Sequence, residues 1–159
     1  MILKTIIAFA TKYGCTEKCS NMLANKLAGE TKILNIKNSP AADLSEYDTV
    51  IIGGPIIAGK INSRLKRFYE DNMDLLLQKK TGLFVCAGME EKAEEELKDN
   101  FPEKLIEHST ATGYFGYEFS LEKMNFAVRA LVKRMVKVNE NISKISEESI
   151  NKFTEEMLK

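Results

Sequence analysis

Short apolar runs alternate along the chain with segments of helical periodicity. Leu3 to Phe9 is a continuous β-rich run, as expected of a strand buried on both faces. Thr16 to Leu27 then places Cys19, Met22, Leu23 and Leu27 on one helical face. Lys32 to Ile36 predicts a short second strand, and Asp48 to Ile52 a third that stops at Gly53-Gly54-Pro55. Ile61, Leu65 and Phe68 mark a helix running towards Leu77. Gly82 to Cys86 is a fourth strand, a charged helix starts at Glu90, and Ala111 to Tyr117 is a fifth strand. Two helices close the chain, at Leu121 to Val138 and Glu147 to Leu158.

This alternation predicts a single α/β domain over residues 1–159, a doubly wound parallel sheet of five strands in the order 2-1-3-4-5. In that order ligands bind outside the carboxyl ends of the first and third strands, so the chemistry is expected there.

The loop after the first strand, Thr11-Lys12-Tyr13-Gly14-Cys15-Thr16, leads into a helix. Free N–H groups at a helix start, two Thr hydroxyls and a turn-permitting Gly14 suit a phosphate, with Lys12 as a nearby charge. Thr16 on its own reads equally well as the helix N-cap. Neither G-x-G-x-x-G nor G-x-x-x-x-G-K-[ST] occurs in this loop.

The arrangement resembles the flavodoxin family, whose signature is an aromatic ending strand one and then S/T-x-x-G-x-T opening a helix. Phe9, Thr11, Gly14 and Thr16 meet it, and Ser20 stands where the family usually has Ala. The resemblance implies that this loop wraps the phosphate of FMN. It implies further that Pro55-Ile56-Ile57-Ala58-Gly59 and Ala87-Gly88-Met89 flank the isoalloxazine ring, with backbone groups reaching its N5 and pyrimidine edge. Read without the resemblance, Gly53 and Gly54 simply end a strand. Electron-shuttling flavodoxins usually stack aromatic side chains on the ring from these loops; Ile56, Ile57 and Met89 stand here instead.

The chain is also similar to the flavodoxin-domain family that includes the menaquinone-dependent protoporphyrinogen oxidases. Tyr47-Asp48 leading to Gly53, Ile56 to Gly59, Ser63 to Phe68, and Gly113-Tyr114-Phe115-Gly116 carry that likeness, together with the long helix before the last one. It implies an FMN-dependent oxidoreductase acting on a porphyrinogen or quinone. The alternative is an electron carrier to a redox partner protein.

Composition narrows the classes. Lys+Arg and Asp+Glu both number 23, which gives no basic excess for nucleic acid. Shuttling flavodoxins, by contrast, are typically very acidic. Cys15, Cys19 and Cys86 are odd in number and irregularly spaced, and only one His is present. Free thiols in a reducing, cytoplasmic setting are expected, and a zinc site is not. Cys15 at a helix start would be acidified, an effect a bound phosphate opposes. A receiver-type signalling domain needs carboxylates where Ala10-Thr11 and Gly53-Gly54 stand. His108 and the Glu94-Glu95-Glu96 run read as solvated surface.

The segment Leu121 to Val138 has apolar residues at Leu121, Met124, Val128, Leu131, Met135 and Val138, with Lys123, Arg129, Lys133, Arg134 and Lys137 off that line. Packing on the sheet and peripheral contact with an anionic membrane both fit this pattern.

Overall fold

The computed structural model describes residues 2–39, 42–136 and 142–159. Its centre is a parallel sheet of β1 (Lys4–Phe9), β2 (Glu30–Asn35), β3 (Thr49–Ile57), β5 (Lys80–Cys86) and β6 (Ala111–Tyr114), in the order β2-β1-β3-β5-β6. This is the doubly wound arrangement expected from the sequence. A two-residue strand, β4 (Lys60–Ile61), pairs antiparallel with the end of β3.

The inner strands have no polar face because helices cover both sides. Ile6, Ala8, Val50, Ile52, Leu83 and Val85 pack on one side against α2 (Ser63–Asp71), α4 (Ala93–Asn100) and α5 (Glu103–His108). Ile7, Ile51, Phe84 and Cys86 face α1 (Cys15–Ala24) and α7 (Glu147–Met157). The one-residue alternation of a strand thus feeds two cores. In the second core Phe84 stacks on Phe115 at 4.5 Å, and Phe153 meets Phe115 edge-on at 5.3 Å.

Several expected boundaries move. β3 does not stop at Gly53 but runs on to Ile57, because these glycines admit neighbouring side chains. A Cβ on Gly53 would overlap the Phe84 ring, and one on Gly54 would stand 2.7 Å from Leu65 Cδ2. Ile61 belongs to β4 rather than to the following helix, which breaks at Asn72 into α2 and α3 (Met73–Leu76). Asn62 caps α2 by accepting from the Arg64 and Leu65 N–H groups. Pro102 divides α4 from α5.

The fifth strand is shorter than Ala111 to Tyr117. Gly116, at φ +87°, turns the chain out of the sheet. β7 (Gly116–Phe119) then pairs antiparallel with β8 (Ile142–Ile145), a strand the periodicity did not reveal. The helix expected over Leu121 to Val138 is interrupted. A 3-10 turn covers Leu121–Lys123, and α6 covers Phe126–Val136. Lys137 and Val138 lie outside the described residues. Leu121 and Met124 are buried, but within α6 Phe126 is 86% exposed and Leu131 56%. Among the described side chains, the buried part of the apolar stripe precedes α6, and sheet packing does not describe the first turns of that helix.

Candidate functional site

Three loops leave the carboxyl ends of adjacent strands β1, β3 and β5. The first is tied down by Ala10, whose N–H donates to Gly53 O at 3.1 Å. Thr11 Oγ1 then accepts from the Gly14 N–H at 3.0 Å, folding residues 11–14 into a turn. Gly14 adopts φ +94° and is the N-cap of α1, its carbonyl accepting from the Lys18 N–H at 3.0 Å. The N–H groups of Cys15, Thr16 and Glu17 thus precede the first intrahelical bond and point out of the helix start.

Thr16 is therefore not the N-cap, which settles one alternative left open by the sequence. It lies inside the first turn, fully buried, and its Oγ1 has no hydrogen-bond partner. A buried hydroxyl left unpaired costs about 1–3 kcal/mol, so its retention calls for an explanation. With the helix-start donors it makes a cradle whose chemistry fits a phosphate. Ser20, the departure from the usual Ala, satisfies its hydroxyl on Thr16 O at 2.8 Å. Lys12 does not turn into the cradle; its Nζ lies over the Tyr13 ring, 5.5 Å from the centroid.

The second loop is the tip of the β3–β4 hairpin. Ile57 pairs with Lys60, leaving Ala58 at φ 52° and Gly59 at φ 76°. Two consecutive positive φ values are the mark of a type I′ turn, which Gly59 eases and Ala58 tolerates. Pro55 is half-buried in β3 opposite Cys86, and Ile56 is buried in the core, whereas Ile57, Ala58 and Gly59 are exposed. Asn100 anchors this hairpin from the far end of α4. Its Oδ1 accepts from the Ile61 N–H at 2.9 Å, and its Nδ2 donates to Gly59 O at 3.0 Å. No local motif announces Asn100; its partners lie 39 and 41 residues away.

The third loop, Ala87-Gly88-Met89, leaves β5 with Ala87 buried and Gly88 and Met89 exposed. The Ala87 N–H donates to Gly116 O at 3.0 Å, and its carbonyl accepts from Tyr114 Oη at 2.6 Å. Burial pushes the Tyr114 phenol up to about 12, as it does the Tyr69 phenol, whose OH donates to Asn100 O. His108 stands apart from these loops, exposed at the surface with Nε2 2.7 Å from Lys79 O.

The cysteines, scattered in sequence, converge here. The Cys15, Cys19 and Cys86 sulfurs lie within 4.8 Å of one another, all buried and free, with Cys19 and Cys86 Sγ 3.8 Å apart. They bind the start of α1 to the residue preceding the third loop. Hydrogen bonding from Cys19, then from Cys86, holds the Cys15 thiol down to about 4 against its burial. The donor thiols of Cys19 and Cys86 are pushed up, first by that same bonding to Cys15. Three thiolates around a mono- or divalent ion would leave net negative charge in this buried space, with Glu118 adding to it.

The chain folds as a doubly wound sheet with a helix-start cradle, of a chemistry that suits a phosphate, at its carboxyl edge. Residues 6–146 match the flavodoxin domain family, and the chain belongs to that family, whose class is flavin-binding redox proteins. No curated protein sequence matches the chain. Among solved structures it is similar to flavodoxin 1 from Bacillus cereus, at 20% identity over 98% of this chain and 97% of that one, TM-score 0.57. It is similar also to the two-electron reduced flavodoxin of Megasphaera elsdenii, at 18% identity over 69% and 84%, TM-score 0.58. A third likeness is to rubredoxin oxygen:oxidoreductase from Desulfovibrio gigas, at 18% identity and TM-score 0.59, covering 98% of this chain and 37% of that one. The chain thus spans little more than a third of that oxidoreductase. At these identities the structural likenesses speak for the fold. Among the described residues, no helix is long and apolar enough to cross a membrane.

Proposed function

We propose that the chain binds one FMN and works as an FMN-dependent oxidoreductase. The phosphate would sit on the N–H groups of Cys15, Thr16 and Glu17 and on the Thr11 and Thr16 hydroxyls. The ring would lie between the hairpin tip (Ile57, Ala58, Gly59) and Gly88-Met89. FMN supplies one- and two-electron transfer when bound. The residues here would bind and orient it. Burial holds the Tyr114 phenol up at about 12 and so neutral, which leaves backbone groups of the 87–89 loop to tune the ring. Ile57 and Met89, at 43% and 37% exposure, would give the ring aliphatic neighbours in place of stacked aromatics.

The observation that carries this reading is the buried, unpartnered Thr16 Oγ1 at the start of α1. Thr16→Val keeps the shape and removes the hydroxyl. Loss of a hydrogen bond to a charged group costs about 1.5–3 kcal/mol, so FMN affinity should fall roughly 10- to 150-fold. The apo protein should hold its stability or gain some, because the unpaired hydroxyl is gone. Equal FMN titration curves for variant and parent would remove the phosphate role. Cofactor released from purified protein and identified by chromatography should be FMN; recovery of FAD would overturn the proposal.

For the reaction, the likeness to menaquinone-dependent protoporphyrinogen oxidases suggests a quinone or porphyrinogen as substrate. The second reading is an electron carrier to a redox partner protein. Steady turnover of a small donor and acceptor by the isolated protein would favour the enzyme. Peripheral membrane contact, which would suit a quinone, is supported by the exposure of Phe126 and Leu131 beside the basic last turn of α6, Lys133 and Arg134.

A further inference from the structure

A Cβ built on Gly14 would lie 3.1 Å from Lys123 Nζ, so the Lys123 ammonium rests against the N-cap of α1 although the two residues are far apart in sequence. A cation at a helix N-terminus faces the positive end of the macrodipole, which is unfavourable unless an anion lies between or beside them. Lys123 has no salt-bridge partner among the described residues. The nearby acid Glu118 is paired with Lys18 at 3.0 Å.

The backbone carrying Lys123 is firmly held. The 3-10 turn closes by bonds from the Lys123 N–H to Ser120 O at 3.1 Å and from the Met124 N–H to Leu121 O at 3.2 Å. Leu121 and Met124, buried on either side, seat it on the core. Arg129 then ties both carbonyls, donating from Nε to Leu121 O at 2.9 Å and from a terminal nitrogen to Met124 O at 3.3 Å. A turn held in this way brings a cation with no salt-bridge partner among the described residues to the start of the helix whose first turn carries the unpaired Thr16 hydroxyl, an arrangement suited to an anion.

We propose that Lys123 is the cationic ligand of the phosphate in this cradle and makes the site selective for a phosphorylated flavin over its dephosphorylated form. This rests on the FMN reading and goes beyond it, since the 120–124 turn lies outside the loop motif. The ammonium would offset the phosphate charge, which backbone N–H groups and hydroxyls alone only solvate. Lys12, turned over Tyr13, leaves this task to Lys123.

The test titrates the apo protein and its Lys123→Gln and Lys123→Arg variants with FMN and with riboflavin. Lys123→Gln should weaken FMN about 10-fold while leaving riboflavin affinity unchanged, and should flatten the salt dependence of FMN binding. Lys123→Arg should recover most of the FMN affinity. Apo Lys123→Gln should melt no lower than the parent, because a cation facing the helix dipole has been removed. A parent that binds FMN, with Lys123→Gln titrating identically, would overturn the Lys123 assignment alone. So would an equal loss for FMN and riboflavin, or a clear drop in apo melting temperature, either of which marks a structural role. A parent that binds neither flavin would overturn the FMN reading and this assignment with it.

Discussion

The Phe84 ring occupies the space where a Cβ of Gly53 would stand, on the strand that leads into the β3–β4 hairpin. Phe84 in turn stacks on Phe115, and Phe115 meets Phe153 of α7. One missing side chain therefore lets an aromatic pile connect β3 to the far helix. Gly53→Ala should destabilise the protein by about 2–3 kcal/mol, the upper end for overpacking a filled core. Phe84→Leu should relieve part of that loss, so the double variant should be less unstable than the two single effects added. Thermal or denaturant unfolding checks this; strict additivity would show that Gly53 serves something other than the ring. The cysteines have the same character. Their convergence depends on α1 lying against β5, a tertiary fact, and nothing in the spacing of Cys15, Cys19 and Cys86 foretells it.

In the proposed site the element that would most govern the ring seat is the β3–β4 hairpin, which Asn100 ties to α4. Asn100 satisfies the Ile61 N–H and Gly59 O together, and its backbone carbonyl accepts from Tyr69. Asn100→Ala would leave a part-buried N–H unpaired, at about 1–3 kcal/mol. Hydrogen exchange at Ile61 should accelerate, and affinity for FMN and for riboflavin should fall together, since the ring seat rather than the phosphate cradle is loosened. Exchange unchanged at Ile61 would show that the hairpin stands without this anchor. Elements of this kind separate what is legible in the sequence from what is not. Strands buried on both faces announce themselves as apolar runs, and the Thr11–Thr16 loop announces itself because its donors are consecutive. The hairpin, β8, Asn100 and Lys123 depend on pairings across tens of residues, or on a turn whose Ala58 carries no signal. The segments behind the porphyrinogen-oxidase likeness also prove to hold the fold. Asp48 accepts from the Lys4 N–H at 2.8 Å, Leu65 and Phe68 are core, and Phe153 and Phe115 crowd the space over Gly113.

For the whole molecule, formal net charge is zero, so long-range steering has no overall sign and any attraction to a surface must be local. α6 is the place where such attraction could arise, with Lys133 and Arg134 in its last turn and Phe126 and Leu131 standing exposed. Each basic residue near an anionic bilayer contributes about 1 kcal/mol, and exposed apolar side chains add to it once they enter the interface. Vesicles containing anionic lipid should therefore bind the protein at low salt, and neutral vesicles should not. Binding should fade as ionic strength shortens the Debye length to about 8 Å. Lys133→Gln with Arg134→Gln should weaken the electrostatic part, and Phe126→Ser should weaken what remains at high salt. Flavin binding should be untouched by all three, since none belongs to the three loops or to the turn bearing Lys123. Sedimentation with vesicles measures each arm. A parent protein that stays in the supernatant with anionic vesicles at low salt would remove the membrane reading, and Phe126 and Leu131 would then need another partner.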